Sequence, residues 1–325
     1  MNGAALLSVE GLVKHFPVQR SLFRLGRGTV VRAVNGVSFE LRTGETLALV
    51  GETGCGKTTV ARAVAMLYRP TTGRVRFRGQ DMTRLRRRGL KAARRHIGLI
   101  FQDPLSSLNP RLSVARLIAE PLAIHGIGSS RQRRERAFEL AAAVGIAIGD
   151  LDRHPHAFSG GQCQRIAIAR ALASDPALVI ADEPVSSLDA SIQSQVLNLL
   201  IDMKERRGLS YLFITHDIAV ADAIADRVAV MYAGRIVEFG GRDEVFHHPV
   251  HPYTRALLDA VPQLGGDRGK ARSEPTEPPS ATSSPSGCPY HPRCPKAQAL
   301  CKETMPDLTS PGGGGATLAA CHFPD

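Results

Sequence analysis

At 325 residues, 43% of them hydrophobic, the chain is long enough for one large α/β domain with its own core plus an appendage, and too short for two such domains. No stretch reaches the roughly 18 to 20 uninterrupted apolar residues that a membrane-spanning helix needs; the best candidate, 140–149, is bounded by Glu139 and Asp150. Residues 1–10 lack a basic segment followed by an apolar run, so no export signal is visible and a cytoplasmic location is expected.

The net charge of +11 is concentrated between Arg62 and Arg95, where Arg84, Arg86, Arg87, Arg88, Lys91, Arg94 and Arg95 crowd together. Such a cluster suits nucleic acid or anionic headgroups, but a solvated helical face is the commoner role. The six cysteines argue against a disulfide framework, because cytosolic thiols are kept reduced. Cys55 and Cys163 stand alone, whereas Cys288, Cys294, Cys301 and Cys321 crowd into the end of the chain.

In chain order, 8–16 and 30–41 read as N-terminal strands, separated by a basic insertion at 19–32. The apolar run 46–50 reads as a buried strand that stops at Gly51, and a helix-forming stretch begins at Lys57. Further strands are expected at 74–78 and 97–101, then helices at 113–124 and 131–144. A second buried strand, 178–181, precedes acidic residues; 191–206 follows as an amphipathic helix and 211–214 as a strand. A hairpin of 227–231 and 235–239 turns at Ala233 and Gly234. Strands alternating with helices imply a mostly parallel sheet. From 264 to 286 the composition shifts to Gly, Pro, Ser, Thr and Glu with no apolar period, which reads as a flexible linker. Beyond it, 287–325 holds the four clustered cysteines and little that could build a core, so a staple is expected.

Three segments carry chemistry. Gly51, Glu52, Thr53, Gly54, Cys55, Gly56, Lys57, Thr58 and Thr59 match the phosphate-loop spacing of Gly, four residues, Gly, Lys and Ser or Thr. Its glycines let backbone N–H groups converge on phosphate oxygens, Lys57 supplies a point charge, and the Thr58 hydroxyl suits magnesium. In 178–183 an apolar strand ends in Asp182, placed to hold magnesium, and Glu183, placed to polarise an attacking water. The loop alone also fits a Gly-rich turn and the strand end alone a solvated rim; together they read as a nucleotide hydrolase. The third segment runs from Phe158 through Ser159, Gly160, Gly161, Gln162, Cys163 and Gln164 to Arg165, a small hydroxyl and two glycines before a helix, which makes a second anion-binding terminus.

This third segment resembles the signature sequence of ATP-binding-cassette (ABC) proteins. The other landmarks follow in the same order as in that family: Gln102 in Ile-Phe-Gln-Asp, Asp189 closing Ser-Ser-Leu-Asp, and His216 in Ile-Thr-His-Asp. The resemblance covers residues 7 to about 261. It implies a P-loop NTPase cassette with a mostly parallel core sheet, an N-terminal antiparallel β region and a helical subdomain at about 103–172. The expected domain division is a nucleotide-binding cassette at 1–263, the linker at 264–286 and a small Cys-rich C-terminal extension at 287–325.

By the same resemblance, two cassettes pair head to tail, and Ser159, Gly160, Gly161 and Gln162 touch the γ-phosphate held by the partner. Gln102 contacts magnesium, senses the γ-phosphate and faces the membrane partner; Asp189 crosses the dimer interface and His216 contacts the γ-phosphate. Phe16 is the candidate to stack on adenine, with closure of a strand core as its plain alternative.

Three stretches are similar to the dipeptide and oligopeptide permease ATPases: 101–110, 182–189, and 251–258 with its His-Pro-Tyr-Thr. That resemblance implies a peripheral ATPase on the cytoplasmic face of the cell membrane. Its expected partners are two transmembrane permease subunits, a second and non-identical cassette, and an extracytoplasmic peptide-binding protein. Nickel, glutathione or an antimicrobial peptide are the alternative cargoes, and a soluble cassette ATPase acting on nucleic acid is the more distant reading; no nucleic acid partner is expected. The Cys-rich tail is similar to that family's C-terminal cysteine extension. It implies a four-iron four-sulfur (4Fe-4S) cluster on Cys288, Cys294, Cys301 and Cys321, with zinc as the alternative that four thiolates also fit. Cys163 stands where the family is usually basic, and Cys55 replaces a common serine. Both fit as plain small-residue choices, which is the commoner reading; a redox-sensitive phosphate loop is the sharper one for Cys55.

Overall fold

The computed structural model describes residues 5–17, 30–260, 285–311 and 317–325. The expected linker at 264–286, apart from its last two positions, and most of the 19–32 insertion lie outside the described residues. Two long strands open the fold, β1 (Ala5–Pro17) and β2 (Val30–Arg42), paired antiparallel. β3 (Thr46–Val50) leads through the glycine loop into α1 (Lys57–Val64). β4 (Thr72–Phe77), β5 (Gln80–Asp81), α2 (Arg87–Arg94) and β6 (Ile97–Ile100) follow. Next comes a helical stretch, α3 (Pro104–Ser107), α4 (Val114–His125), α5 (Ser130–Ala143) and α6 (Gly160–Leu172). β7 (Leu178–Asp182), α7 (Ala190–Arg207), β8 (Ser210–Thr215) and α8 (Ile218–Ile224) return to the sheet. The chain then runs through β9 (Arg227–Tyr232), β10 (Arg235–Gly241), α9 (Arg242–His247), α10 (Pro252–Asp259), α11 (Ala299–Glu303) and β11 (Leu318–Ala319).

Among the described residues two sheets form, one antiparallel in the order β2-β1-β4-β5 and one in the order β11-β10-β9-β3-β8-β7-β6. In the second sheet β9, β3, β8, β7 and β6 are parallel neighbours, while β10 and β11 run antiparallel at one edge. β3, β7 and β8 are buried along their whole length, as strands covered on both faces must be. Their side chains alternate with period two. Leu178, Ile180, Leu212 and Ile214 join Leu47, Leu49 and α1 in a core shared with the antiparallel sheet. Val179, Ala181, Tyr211 and Phe213 enter a second core with α4, α5, α6 and α7. Each fully buried Leu, Ile or Val contributes about 1.5–3 kcal/mol relative to exposure. The two cores therefore clamp the sheet from opposite sides and fix the ends of its parallel strands.

On α2, Arg94 donates to Ala65 O (3.1 Å) and Met66 O (2.6 Å), so it caps carbonyls after α1 rather than facing solvent. Arg84, Arg86, Arg87, Arg88, Lys91 and Arg95 are exposed. The C-terminal segment is folded onto the cassette. β11 extends the main sheet, with Glu238 opposite Ala319, and Cys288, Tyr290 and Cys301 share a buried cluster with Val50, Tyr232 and Tyr253.

Candidate active site

The phosphate loop is wedged between two backbones. At Gly51 (φ +149°) an added Cβ would sit 2.2 Å from Met231 O, and at Gly56 (φ +108°) one would sit 2.2 Å from Ala33 O. Both positions therefore exclude any side chain. Thr53 and Gly54 form the exposed crown. Gly56 offers α1 no side-chain cap, which leaves its first N–H groups, among them those of Thr58 and Thr59, available to an anion. Buried Lys57 donates from Nζ to Gly51 O (2.6 Å) and Glu52 O (2.9 Å), and lies 3.8 Å from Cys55 Sγ. Burial raises the Cys55 thiol above its ordinary value. It is thereby held in the less reactive protonated form, which argues against a redox switch in this loop.

The C-terminal ends of the parallel strands bring distant residues to that loop. Asp182, 2% exposed at the end of β7, accepts from Thr58 Oγ1 at 2.9 Å. Burial pushes its carboxyl upward, against the Thr58 hydrogen bond. The next residue, Glu183, takes φ +48°, a left-handed conformation that is costly outside glycine and recurs at functional sites. Its N–H donates to Ile214 O (2.9 Å), extending the bonding to β8, and the turn then redirects the side chain. Glu183 Oε2 accepts from Gln102 Nε2 at 2.8 Å, and Oε1 lies 3.2 Å from His216 Nδ1. Gln102, Glu183 and His216 follow three neighbouring strands, β6, β7 and β8, and meet on one carboxylate. The Thr58 hydroxyl and Asp182 carboxylate are adjacent hard oxygen donors, a set that fits magnesium; Gln102 has its amide on Glu183.

Ser159 caps α6 in a reciprocal pair with Gln162: Gln162 N donates to Ser159 Oγ (3.3 Å) and Ser159 N donates to Gln162 Oε1 (3.0 Å). Ser159, Gly160 and Gln162 are exposed. Asp189 caps α7, accepting from Ile192 N (3.0 Å) and Ser191 Oγ (2.8 Å), and these bonds hold its carboxyl below the usual value. The two helix starts are packed together, since a Cβ at Gly161 would sit 2.4 Å from Ile192 Cγ2. Cys163 is fully buried in the helical core, with Sγ donating to Pro155 O (3.5 Å), so a small apolar residue fits there. Phe16 lies on β1, edge-on to Tyr68 (5.4 Å) and under Lys14 Nζ (4.9 Å).

Two residues that the motifs did not single out also touch the loop. The Glu52 carboxylate accepts from both arms of the Arg293 guanidinium, at 2.9 and 3.0 Å, and Glu52 N donates to Tyr253 Oη at 3.0 Å. Tyr253 belongs to the His-Pro-Tyr stretch at the start of α10, and Arg293 to the Cys-rich segment. Those stretches were the only signal for them.

Comparison with known proteins agrees with this geometry. The family described as "ABC transporter" matches residues 34–186, and "Oligopeptide/dipeptide transporter, C-terminal region" matches residues 237–301. The chain is 46% identical to the oligopeptide transport ATP-binding protein AppF of Bacillus subtilis, over 99% of this chain and 98% of that one. It is 47% identical to the dipeptide transport ATP-binding protein DppF of Escherichia coli, over 98% and 95%. A solved relative is the post-hydrolysis dimer of the ATP-binding cassette MJ0796 bound to ADP and Pi. It is 28% identical with a TM-score of 0.64, covering 73% of this chain and 98% of that one.

One expectation is overturned. Cys288, Cys294, Cys301 and Cys321 line one cavity, yet among the described residues no group of three or more His, Cys, Asp or Glu is placed to hold a metal ion. The expected 4Fe-4S cluster is therefore not supported, and the segment's staple is apolar packing, the β10–β11 pairing and the Arg293–Glu52 ion pair. With its phosphate loop, its acidic strand end and full-length identity of this order, the chain belongs to the ABC-transporter ATPases, in the group of oligopeptide and dipeptide transport ATP-binding proteins.

Proposed function

We propose that this chain is the peripheral subunit that hydrolyses ATP to energise import of short peptides from the cytoplasmic face of the membrane. The observation that carries the reading is the convergence of Gln102, Glu183 and His216 beside the Thr58–Asp182 pair and the phosphate loop. Lys57 and the first N–H groups of α1 bind the phosphates of ATP. Thr58 and Asp182 would hold magnesium, which neutralises phosphate charge when bound. Glu183 orients a water and takes its proton; Gln102 and His216 fix the carboxylate from two sides, and His216 faces the γ-phosphate.

A second cassette, a non-identical sister, completes each site. The exposed Ser159–Gln162 terminus and Asp189 support this reading, because one chain has no second phosphate loop to serve them. Residues 1–263 are assigned to the cassette, 103–172 to its helical subdomain and 287–325 to a C-terminal extension, whose described residues fold back on the cassette. Two permease subunits dock around 102–110, and an extracytoplasmic peptide-binding protein delivers cargo. Among the described residues no helix is long and apolar enough to cross a membrane, which fits a peripheral role. The test is reconstitution with the permease pair, sister cassette and binding protein in proteoliposomes. Uptake of a labelled dipeptide or oligopeptide that requires Mg·ATP and is lost with Glu183→Gln supports the reading. Uptake of nickel or glutathione with no peptide transport overturns the cargo, and ATPase stimulation by DNA or RNA without permeases overturns the transport role.

A further inference from the structure

Glu52 is the second residue of the phosphate loop, and a carboxylate there opposes the anion that the loop exists to bind. In this chain both its oxygens are occupied by Arg293, and the side chains are only 28% and 18% exposed. The guanidinium lies 5.8 Å from the ring centres of both Tyr232 and Tyr290, so its plane is fixed by packing as well as by the carboxylate. The rest of Glu52 is pinned too: its N–H donates to Tyr253 Oη and its carbonyl accepts from Lys57.

We propose that Arg293 is a positioning residue for nucleotide binding: it neutralises Glu52 and holds it turned away from the phosphate cradle, so the C-terminal segment is part of the ATP site. A bidentate arginine suits this role, since it fixes both the charge and the plane of a carboxylate, whereas lysine supplies a point charge alone. Releasing Glu52 would return an unpaired negative charge to the loop and free its first residues to move. The cost falls on nucleotide binding and not on the proton transfer at Glu183, whose carboxylate is held separately by Gln102 and His216.

The inference rests on the phosphate loop being the ATP site, and the experiment separates the two. In the full-length protein, the dissociation constant and KM for Mg·ATP and the kcat are measured for wild type, Lys57→Ala, Arg293→Met, Arg293→Lys, Glu52→Gln and the Arg293→Met/Glu52→Gln double variant. Arg293→Met is expected to raise KM and the dissociation constant about tenfold, which corresponds to about 1.4 kcal/mol, with kcat changed less than about threefold. Arg293→Lys falls between it and wild type. With Glu52→Gln already in place, Arg293→Met has no further effect, because there is no charge left to neutralise. An unchanged KM in Arg293→Met, or an equal loss with and without Glu52→Gln, overturns the proposal. If Arg293→Met does not fold, Arg293→Lys with and without Glu52→Gln makes the same comparison. Lys57→Ala binding ATP as tightly as wild type overturns both this proposal and the site on which it rests.

Discussion

Replacing Glu183 by glutamine removes one negative charge while keeping the size of the side chain and an oxygen able to accept from Gln102. The two contacts that define the carboxylate, 2.8 Å to Gln102 Nε2 and 3.2 Å to His216 Nδ1, would be retained and weakened respectively. What is lost is a group that can take a proton from water. General-base catalysis contributes about 10²–10⁴-fold, and at about 1.36 kcal/mol per tenfold this raises the barrier by about 3–5 kcal/mol. Phosphate binding should be spared, because Lys57, Thr58 and Asp182 lie outside the change. The assay is phosphate release at saturating Mg·ATP, with the dissociation constant for ATP measured in parallel. The expected result is a kcat reduced at least about a hundredfold with binding within a few-fold of wild type. A kcat within tenfold of wild type would refute the assignment of Glu183 as base, and with it the reading of the Gln102–His216 pair as its supports.

Other perturbations test the surrounding geometry. Tyr253→Phe removes the acceptor of Glu52 N and leaves that donor without its partner, at a cost of about 1–3 kcal/mol. With about 2–4 °C per kcal/mol for a domain of this size, calorimetry should register the loss, and an unchanged Tm would contradict it. Thr58→Val takes away the hydroxyl that donates to buried Asp182, so the magnesium needed for half-maximal ATPase activity should rise severalfold; an unaltered magnesium curve would remove Thr58 from the metal's holders. Gly161→Ala places a methyl 2.4 Å from Ile192 Cγ2, so the Ile192 side chain or the starts of α6 and α7 must shift. ATP turnover should fall by up to about a hundredfold while ATP binding is kept, as a misplaced catalytic terminus would give. His251 is 1% exposed, and burial brings its imidazole down to about 4 while Nδ1 accepts from Tyr253 N. Its folded value is depressed, so its contribution is present above pH 6.5 and lost as pH falls from 6.5 toward 4, by about 3 kcal/mol at most. His251→Asn should flatten that part of the Tm profile, and an identical slope in the variant would show that other groups carry it.

The segments legible from sequence are those in which chemistry is local. A phosphate loop is a run of nine residues whose glycines, lysine and threonine act on one anion, and the strand before it reads as buried because every residue of 46–50 is apolar or small. The strands of the parallel sheet, the amphipathic helix at 191–206 and the hairpin at Ala233 and Gly234 were readable from period and turn chemistry for the same reason. Other features depend on which strand lies beside which. Gln102 and Glu183 are 81 residues apart and share a hydrogen bond only because β6 and β7 are neighbours in the sheet. The Arg293–Glu52 pair spans 241 residues, and no period or spacing connects them. The four terminal cysteines show the converse: their clustering suggested a metal staple, but clustering along the chain does not set side-chain geometry. Packing against Val50, Tyr232 and Tyr253 turned that segment into a buttress for the phosphate loop. Sequence thus determined the loop, the acidic strand end and the signature terminus, each a local pattern of backbone and charge. Tertiary structure decided which side chains meet, because contacts between distant segments follow from strand order and from the shape of the shared core.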